Sequence, residues 1–186
     1  MRSWPSLESV ENPPRLRPFV LVILSDTHAH DGHGLTDHLR DVVRDADRVV
    51  HAGDFTTGAV LDSFQSATSR LDAVYGNADD PAVRERLPDE RVLEYAGIRI
   101  AVTHWKDGGA TALSMFGRSV GADLVVFGHT HRQQVVSDAE PVLLNPGSHA
   151  TPRGNRPGYA TLVASEGGLA GTIREPDGAV VDRFSV

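Results

Sequence analysis

Apolar residues fall in short, separated runs along this chain, and the spacing within each run predicts the element it forms. Phe19–Leu24 (FVLVIL) is a continuous apolar run, the pattern of a strand buried on both faces. Leu35–Asp45 instead places Leu35, Leu39, Val42 and Val43 at helical spacing. Arg48–His51 (RVVH) predicts the next strand, Ala59–Arg70 a second helix, and Asp72–Tyr75 (DAVY) a third strand. That order, β-α-β-α-β, belongs to a parallel sheet with right-handed crossovers.

Beyond a short helix at Pro81–Arg86 the pattern changes. Arg91–Tyr95 and Ile98–Thr103 flank Ala96-Gly97, a hairpin signal. A helix over Thr111–Val120 precedes a buried strand at Leu124–Phe127. Five further strands are predicted at Gln133–Ser137, Val142–Leu144, Tyr159–Ala164, Gly171–Arg174 and Ala179–Phe184. Parallel units first and antiparallel strands later predict an α/β fold of two packed mixed β-sheets flanked by helices. Residues 1–17 carry three prolines and no apolar period, so they read as a flexible N-terminal tail, with 18–186 a single domain.

Composition narrows the function classes. Eighteen Lys+Arg against 25 Asp+Glu give a net charge of −7, which argues against general nucleic-acid binding. A 40% apolar content supports a packed core. The longest apolar run is far short of the roughly 20 residues needed to cross a bilayer. There are no cysteines, which excludes disulfides, thiolate metal sites and cysteine nucleophiles. The expected setting is cytoplasmic, with no membrane partner.

Nine histidines are present, and their positions matter more than their number. Five of the predicted strands are followed by residues that can bind metal. Ser25-Asp26-Thr27-His28 follows the first, Ala52-Gly53-Asp54 the second and Gly76-Asn77-Ala78-Asp79 the third. His104 and Gly128-His129-Thr130-His131 follow two later strands, the last two histidines lying two apart on a segment that reads as extended. The steps 26 to 54, 54 to 77, 77 to 104 and 104 to 129 are 28, 23, 27 and 25 residues, each about one strand-plus-crossover unit. Strand ends of this kind share one edge, where ligand sites form. Singly, Asp26 reads as a cap and Gly76-Asn77 as a turn. Jointly, four imidazoles, two carboxylates and an amide oxygen suit Mn, Fe, Co, Ni or Zn. Seven donors exceed one tetrahedral site and suit two ions sharing a carboxylate, an arrangement that serves phosphate-ester hydrolysis. Two divalent ions with Asp26, Asp54 and a hydroxide leave about +1, which attracts a phosphoryl group.

The series Asp26-x-His28, Gly53-Asp54, Gly76-Asn77-x-Asp79, His104 and Gly128-His129-x-His131 resembles the calcineurin-like metallophosphoesterases. Asn145-Pro146-Gly147-Ser148, Pro152-Arg153 and Tyr159-Ala160-Thr161-Leu162 are similar to the small YfcE-like phosphodiesterases among them. The resemblance implies a four-layer αββα sandwich. It implies that Asp26, His28 and His131 hold one metal, that Asn77, His104 and His129 hold a second, and that Asp54 bridges. It further implies two divalent ions, usually Mn²⁺, a hydroxide bridging them as nucleophile, and a small phosphate-ester substrate of nucleotide-like kind. Asp54, Asn77, His104 and His129 are thus the expected catalytic set, and relatives often form homo-oligomers.

Two positions depart from the family's pattern. Many relatives carry a proton-donating histidine where this chain has Ala78, so a leaving-group proton would come from water or a neighbour such as His30. Trp105 replaces a usual glycine after His104 and reads as a packed lid. Two other functions share the motifs: a phosphomonoesterase or nucleotide hydrolase, and a scaffold that kept the fold but lost turnover, as the related retromer subunit did. Of the remaining histidines, His51 reads as a core residue, His30, His33 and His38 as solvent-side, and His149 as a support near the metal loops. Arg153 and Arg156 are candidates to reach a second charge on the substrate.

Overall fold

The computed structural model describes residues 19–186, so the tail expected over residues 1–17 lies outside it. The first half follows the predicted alternation: β1 (Val20–Leu24), α1 (Asp37–Asp45), β2 (Arg48–His51), α2 (Gly58–Ala67), β3 (Leu71–Ala73) and α3 (Pro81–Arg84). A hairpin of β4 (Glu90–Tyr95) and β5 (Ile98–Thr103) leads to α4 (Gly109–Ser119) and β6 (Leu124–Val126). Then come β7 (Gln133–Val136), β8 (Val142–Pro146), β9 (Tyr159–Ser165), β10 (Gly168–Arg174) and β11 (Val180–Ser185). Every predicted element is present, with shifts of a few residues at the ends. The helix starts follow local chemistry: the side chains of Thr36, Thr57 and Asp80 accept from Leu39, Val60 and Val83 N–H groups, and Pro81 opens α3.

The strands form two mixed sheets, one of six in the order β11-β10-β9-β1-β2-β3 and one of five in the order β4-β5-β6-β8-β7. β1, β2 and β3 run parallel, as do β5, β6 and β8. Alternate residues of β1 serve different layers, as the continuous apolar run requires. Leu21 and Ile23 meet Ile100, Val102, Leu124 and Val126 between the sheets. Val22 and Leu24 pack with Leu39, Val43, Leu61 and Phe64 of α1 and α2. On the far side, Ala101, Val125 and Leu143 pack with Leu113 of α4. The layers are therefore αββα. Parallel β1, β2 and β3 and parallel β5, β6 and β8 bring six loops to one edge of the sandwich. Among the described residues no helix is long and apolar enough to cross a membrane.

Candidate metal centre

The residues that end these strands do not continue the strand conformation. Asp26, His28, Asp54, His129 and His131 all have left-handed backbones, with φ of 54°, 45°, 63°, 73° and 56°. Such a conformation costs about 1–3 kcal/mol at a non-glycine residue, least for Asp, Asn and His, and collects at functional sites. It bends each loop at the crevice. The segment holding His129 and His131 is therefore a pair of sharp bends rather than the extended stretch expected from sequence. An alternation would have put both rings on one face; the bends bring each ring to a different neighbour.

All seven predicted donors converge. Asp26 Oδ1 lies 3.5 Å from His131 Nε2 and 4.0 Å from His28 Nε2. Asp54 Oδ2 lies 3.1 Å from His28 Nε2 and 3.2 Å from His104 Nε2. Asn77 Oδ1 lies 3.1 Å from His104 Nε2 and 2.7 Å from His129 Nδ1. The rings of His28 and His131 stack, with their Nε2 atoms 3.1 Å apart. Two triads, Asp26-His28-His131 and Asp26-Asp54-His104, each bring one ligand atom per residue within 4.8 Å of the others.

The proton placement shows what these atoms lack. His104 Nδ1 faces the Ala52 carbonyl at 2.7 Å, and His131 Nδ1 faces the Thr151 carbonyl. A ring nitrogen against a carbonyl oxygen must carry its hydrogen, so the neutral ring presents the Nε2 lone pair to the crevice. There the lone pairs meet carboxylate and amide oxygens, which also only accept. Acceptors facing acceptors are satisfied by a cation between them, and carbonyl-anchored imidazoles are the usual support of a metal ligand. The donor set fits divalent ions of the Mn-to-Zn group. The same crevice also draws a proton. Burial works to raise the Asp54 pKa, but the His104 and His28 rings, when they carry a proton on Nε2, donate to its carboxylate and hold it far below the carboxylate range. Burial works to lower that of His104, and Asp54 raises it instead.

Much of the framework is main chain. The His129 N–H donates to both Asp26 carboxylate oxygens at 3.0 Å. Ala78 N–H donates to Asp54 Oδ1 at 2.7 Å. Two glycines make these approaches possible: a Cβ on Gly76 would lie 2.1 Å from Asp54 Oδ1, and one on Gly128 would lie 2.0 Å from Ser25 Oγ. Asp79, part of the motif but without an expected role, accepts from the N–H groups of Asp54, Gly76 and Thr56 at 3.0, 2.7 and 2.7 Å. It binds the loop after β2 to the loop after β3. Burial raises its pKa.

Arg84 was not foreseen. Its guanidinium donates to the carbonyls of Asp79, Gly76 and Asn77, closing the Asn77 turn from outside. Nothing in the pattern of a four-residue helix marks it. Asn145 Nδ2 donates to the Gly128 carbonyl at 2.7 Å, and Ser148 Oγ to the Asp26 carbonyl at 2.6 Å, which gives the Asn-Pro-Gly-Ser turn its place.

The other histidines sort by burial. His51 is fully buried, stacked on Phe55, and 2.9 Å from Thr27 Oγ1, the core residue that was expected. His30 and His38 are exposed and His33 is half-buried. His149 is buried against Phe64, its Nε2 3.1 Å from the His33 carbonyl. Trp105 lies over one of the predicted donors, stacked on His129 with centroids 5.0 Å apart. Beside it opens a cleft of about 410 Å³ lined by Tyr75, Asn77, Arg84, His104, Lys106 and His129 among others.

Residues 19–167 match the calcineurin-like phosphoesterase superfamily domain. A probable metallophosphoesterase of Methanocaldococcus jannaschii is 33% identical over 136 residues, covering 70% of this chain and 68% of its own length. A phosphodiesterase of the same archaeon is 28% identical over 142 residues, covering 67% of this chain and 81% of its own. Among solved structures, wild-type Vps29 of Entamoeba histolytica complexed with zinc superposes with a TM-score of 0.73 at 20% identity. That match covers 89% of this chain and 98% of Vps29, and it shows the fold.

Proposed function

Because this chain belongs to the calcineurin-like phosphoesterase superfamily and is a metal-dependent phosphoesterase, we propose that it is a phosphodiesterase with a two-metal centre. Asp26, His28 and His131 hold one ion, Asn77, His104 and His129 the other, and Asp54 bridges them. One observation carries this reading: Asp54 Oδ2 stands midway between the two histidine groups, 3.1 Å from His28 Nε2 and 3.2 Å from His104 Nε2. Mn²⁺ is the proposed ion, with Fe, Co, Ni and Zn served by the same donors. The phosphodiesterase relative supports the diester substrate.

When bound, such an ion pair supplies a deprotonated water near neutral pH and charge to neutralise phosphoryl oxygens. The chain itself supplies orientation. Carbonyl contacts fix the His104 and His131 rings with Nε2 toward the crevice, and the His129 and Ala78 N–H groups fix the two carboxylates. Asn77, His104 and His129 border the cleft, so the ester enters from that side. Ala78 has no proton to give a departing alkoxide, and its N–H is held by Asp54. Esters of acidic alcohols, which leave without protonation, are therefore the faster substrates.

The test is hydrolysis of bis-p-nitrophenyl phosphate by metal-stripped protein, with and without Mn²⁺, alongside metal content. Turnover restored by Mn²⁺ with about two ions per chain supports the reading. One ion per chain sinks the two-metal centre, and two ions without turnover leave a metal-binding scaffold.

A further inference from the structure

Arg153 is anchored at the metal centre without a counter-charge. Its Nη2 lies 3.5 Å from His28 Nε2, the ligand atom that also faces Asp54 Oδ2 and His131 Nε2. The side chain is exposed and makes no ion pair among the described residues. Arg156, three residues on, differs: it pairs with Glu175 Oε1 at 3.3 Å.

The loop that carries Arg153 is fixed to the centre. Thr151 N–H donates to Ser148 Oγ, Thr151 Oγ1 donates to the Thr27 carbonyl, and the Thr151 carbonyl holds His131 Nδ1. The Pro152 carbonyl accepts from both nitrogens of Asn155, closing the turn. Arg153 itself has a left-handed backbone, with φ of 49°. An arginine there is strained, whereas glycine would not be. Strain held at the rim of a site, under a side chain aimed into it, is the pattern of a functional constraint.

With His28 engaged by a divalent ion, a guanidinium this close faces like charge. An anion lying between the two relieves that repulsion, and the fork of an arginine matches phosphoryl oxygens. A diester has two non-bridging oxygens that share one charge; a monoester dianion adds a third non-bridging oxygen and a second charge. We propose that Arg153 is a specificity-determining residue that takes this third oxygen, giving the centre an affinity for dianionic phosphoryl groups. Phosphate monoesters, including the monoester that diester cleavage releases, are its ligands. The inference rests on the phosphoesterase reading and adds a substrate class to it.

The experiment is calorimetric titration of Mn²⁺-loaded protein with inorganic phosphate at pH 8, for wild type, Arg153→Gln, Arg153→Lys and Arg153→Gly. Metal content, thermal stability and the kcat/KM ratio for p-nitrophenyl phosphate over bis-p-nitrophenyl phosphate are read beside it. Loss of a charge-assisted hydrogen bond predicts phosphate binding weaker by about 10- to 100-fold in Arg153→Gln. The monoester-to-diester ratio falls with it, metal content is unchanged, and Arg153→Lys recovers part of both. Arg153→Gly loses the same affinity while its Tm stays level or rises, which a structural role would not produce. Phosphate bound as tightly by Arg153→Gln as by wild type overturns the proposal, as does an equal loss on both esters. The titration needs no turnover, so phosphate binding through Arg153 in a protein that hydrolyses neither ester sinks the enzymatic reading alone.

Discussion

The main-chain N–H of His129 donates to both carboxylate oxygens of Asp26, 3.0 Å to each, across 103 residues of sequence. This bond joins the loop after β1 in one sheet to the loop after β6 in the other. In the proposed two-metal centre it orients one ion's carboxylate through the backbone of a residue whose ring serves the other ion.

His129→Ala therefore removes one ring and keeps the N–H. It should lower occupancy of one ion and leave Asp26 and the other ion in place. Gly128→Ala keeps every ligand but drives a Cβ to 2.0 Å from Ser25 Oγ and 2.8 Å from Asp26 Oδ2. Overpacking of that kind costs about 1–3 kcal/mol, and here it displaces a ligand. Metal analysis and thermal melts of the two variants separate them: Gly128→Ala should lose both ions. Equal loss in His129→Ala would contradict a backbone role.

Asp54→Asn should separate chemistry from folding. Its Oδ1 still accepts from Ala78, and an amide nitrogen in place of Oδ2 can donate to the lone pairs of His28 and His104. The metal-free variant should melt no lower than metal-free wild type. Activity should fall by orders of magnitude, with metal content reduced for both ions. A near-normal rate with bound Mn²⁺ would remove Asp54 from the bridge.

Asp79 tests whether a residue that touches no metal sets the Asn77 turn. Its Oδ2 accepts two N–H groups and its Oδ1 a third. An asparagine must aim its own N–H₂ at one of these donors whichever way it turns. Asp79→Asn should lose about 1–3 kcal/mol of stability, as expected for buried donors left unmet. Denaturant melts read this directly, and an unchanged midpoint would show that the loop has another support.

Acid should destabilise the fold through its buried histidines. Burial pushes His149 down to about 4 from an ordinary value of 6.5 and holds His51 well below that ordinary value. Between those values the unfolded chain binds the proton and the folded chain does not. The stability is complete above pH 6.5 and is lost as pH falls toward 4. His149 alone accounts for about 3 kcal/mol. His149→Gln keeps a donor for the His33 carbonyl and should flatten the dependence of Tm on pH across this range in metal-free protein. An unaltered slope would place the acid sensitivity elsewhere.

Much of this protein was legible without coordinates. Phe19–Leu24 declared itself a doubly buried strand because all six residues are apolar, and β1 uses its two faces for two layers. The seven donors were found because each follows a strand at nearly equal intervals. The helix starts were less exact: the apolar spacing begins at Leu35, one residue ahead of the Thr36 cap, and at Ala59, two residues beyond the Thr57 cap. Arg84 was invisible: its three carbonyl partners lie on a turn that no periodicity describes. Asp79, Asn145 and Ser148 were visible as motif letters, but their hydrogen bonds run to backbone atoms of distant loops, and a sequence shows side chains only.

The sequence by itself determined which candidate metal-binding residues gather and which edge of the sheets they share, because strand alternation and crossover length are local properties. The tertiary structure decided how those residues meet. The left-handed turns at Asp26, His28, Asp54, His129 and His131, the lone pairs left facing one another, and Arg153 at 3.5 Å from His28 all come from loops far apart in the chain. Their positions follow from how two packed sheets bring six loop ends to one edge, and local pattern carries no record of that packing.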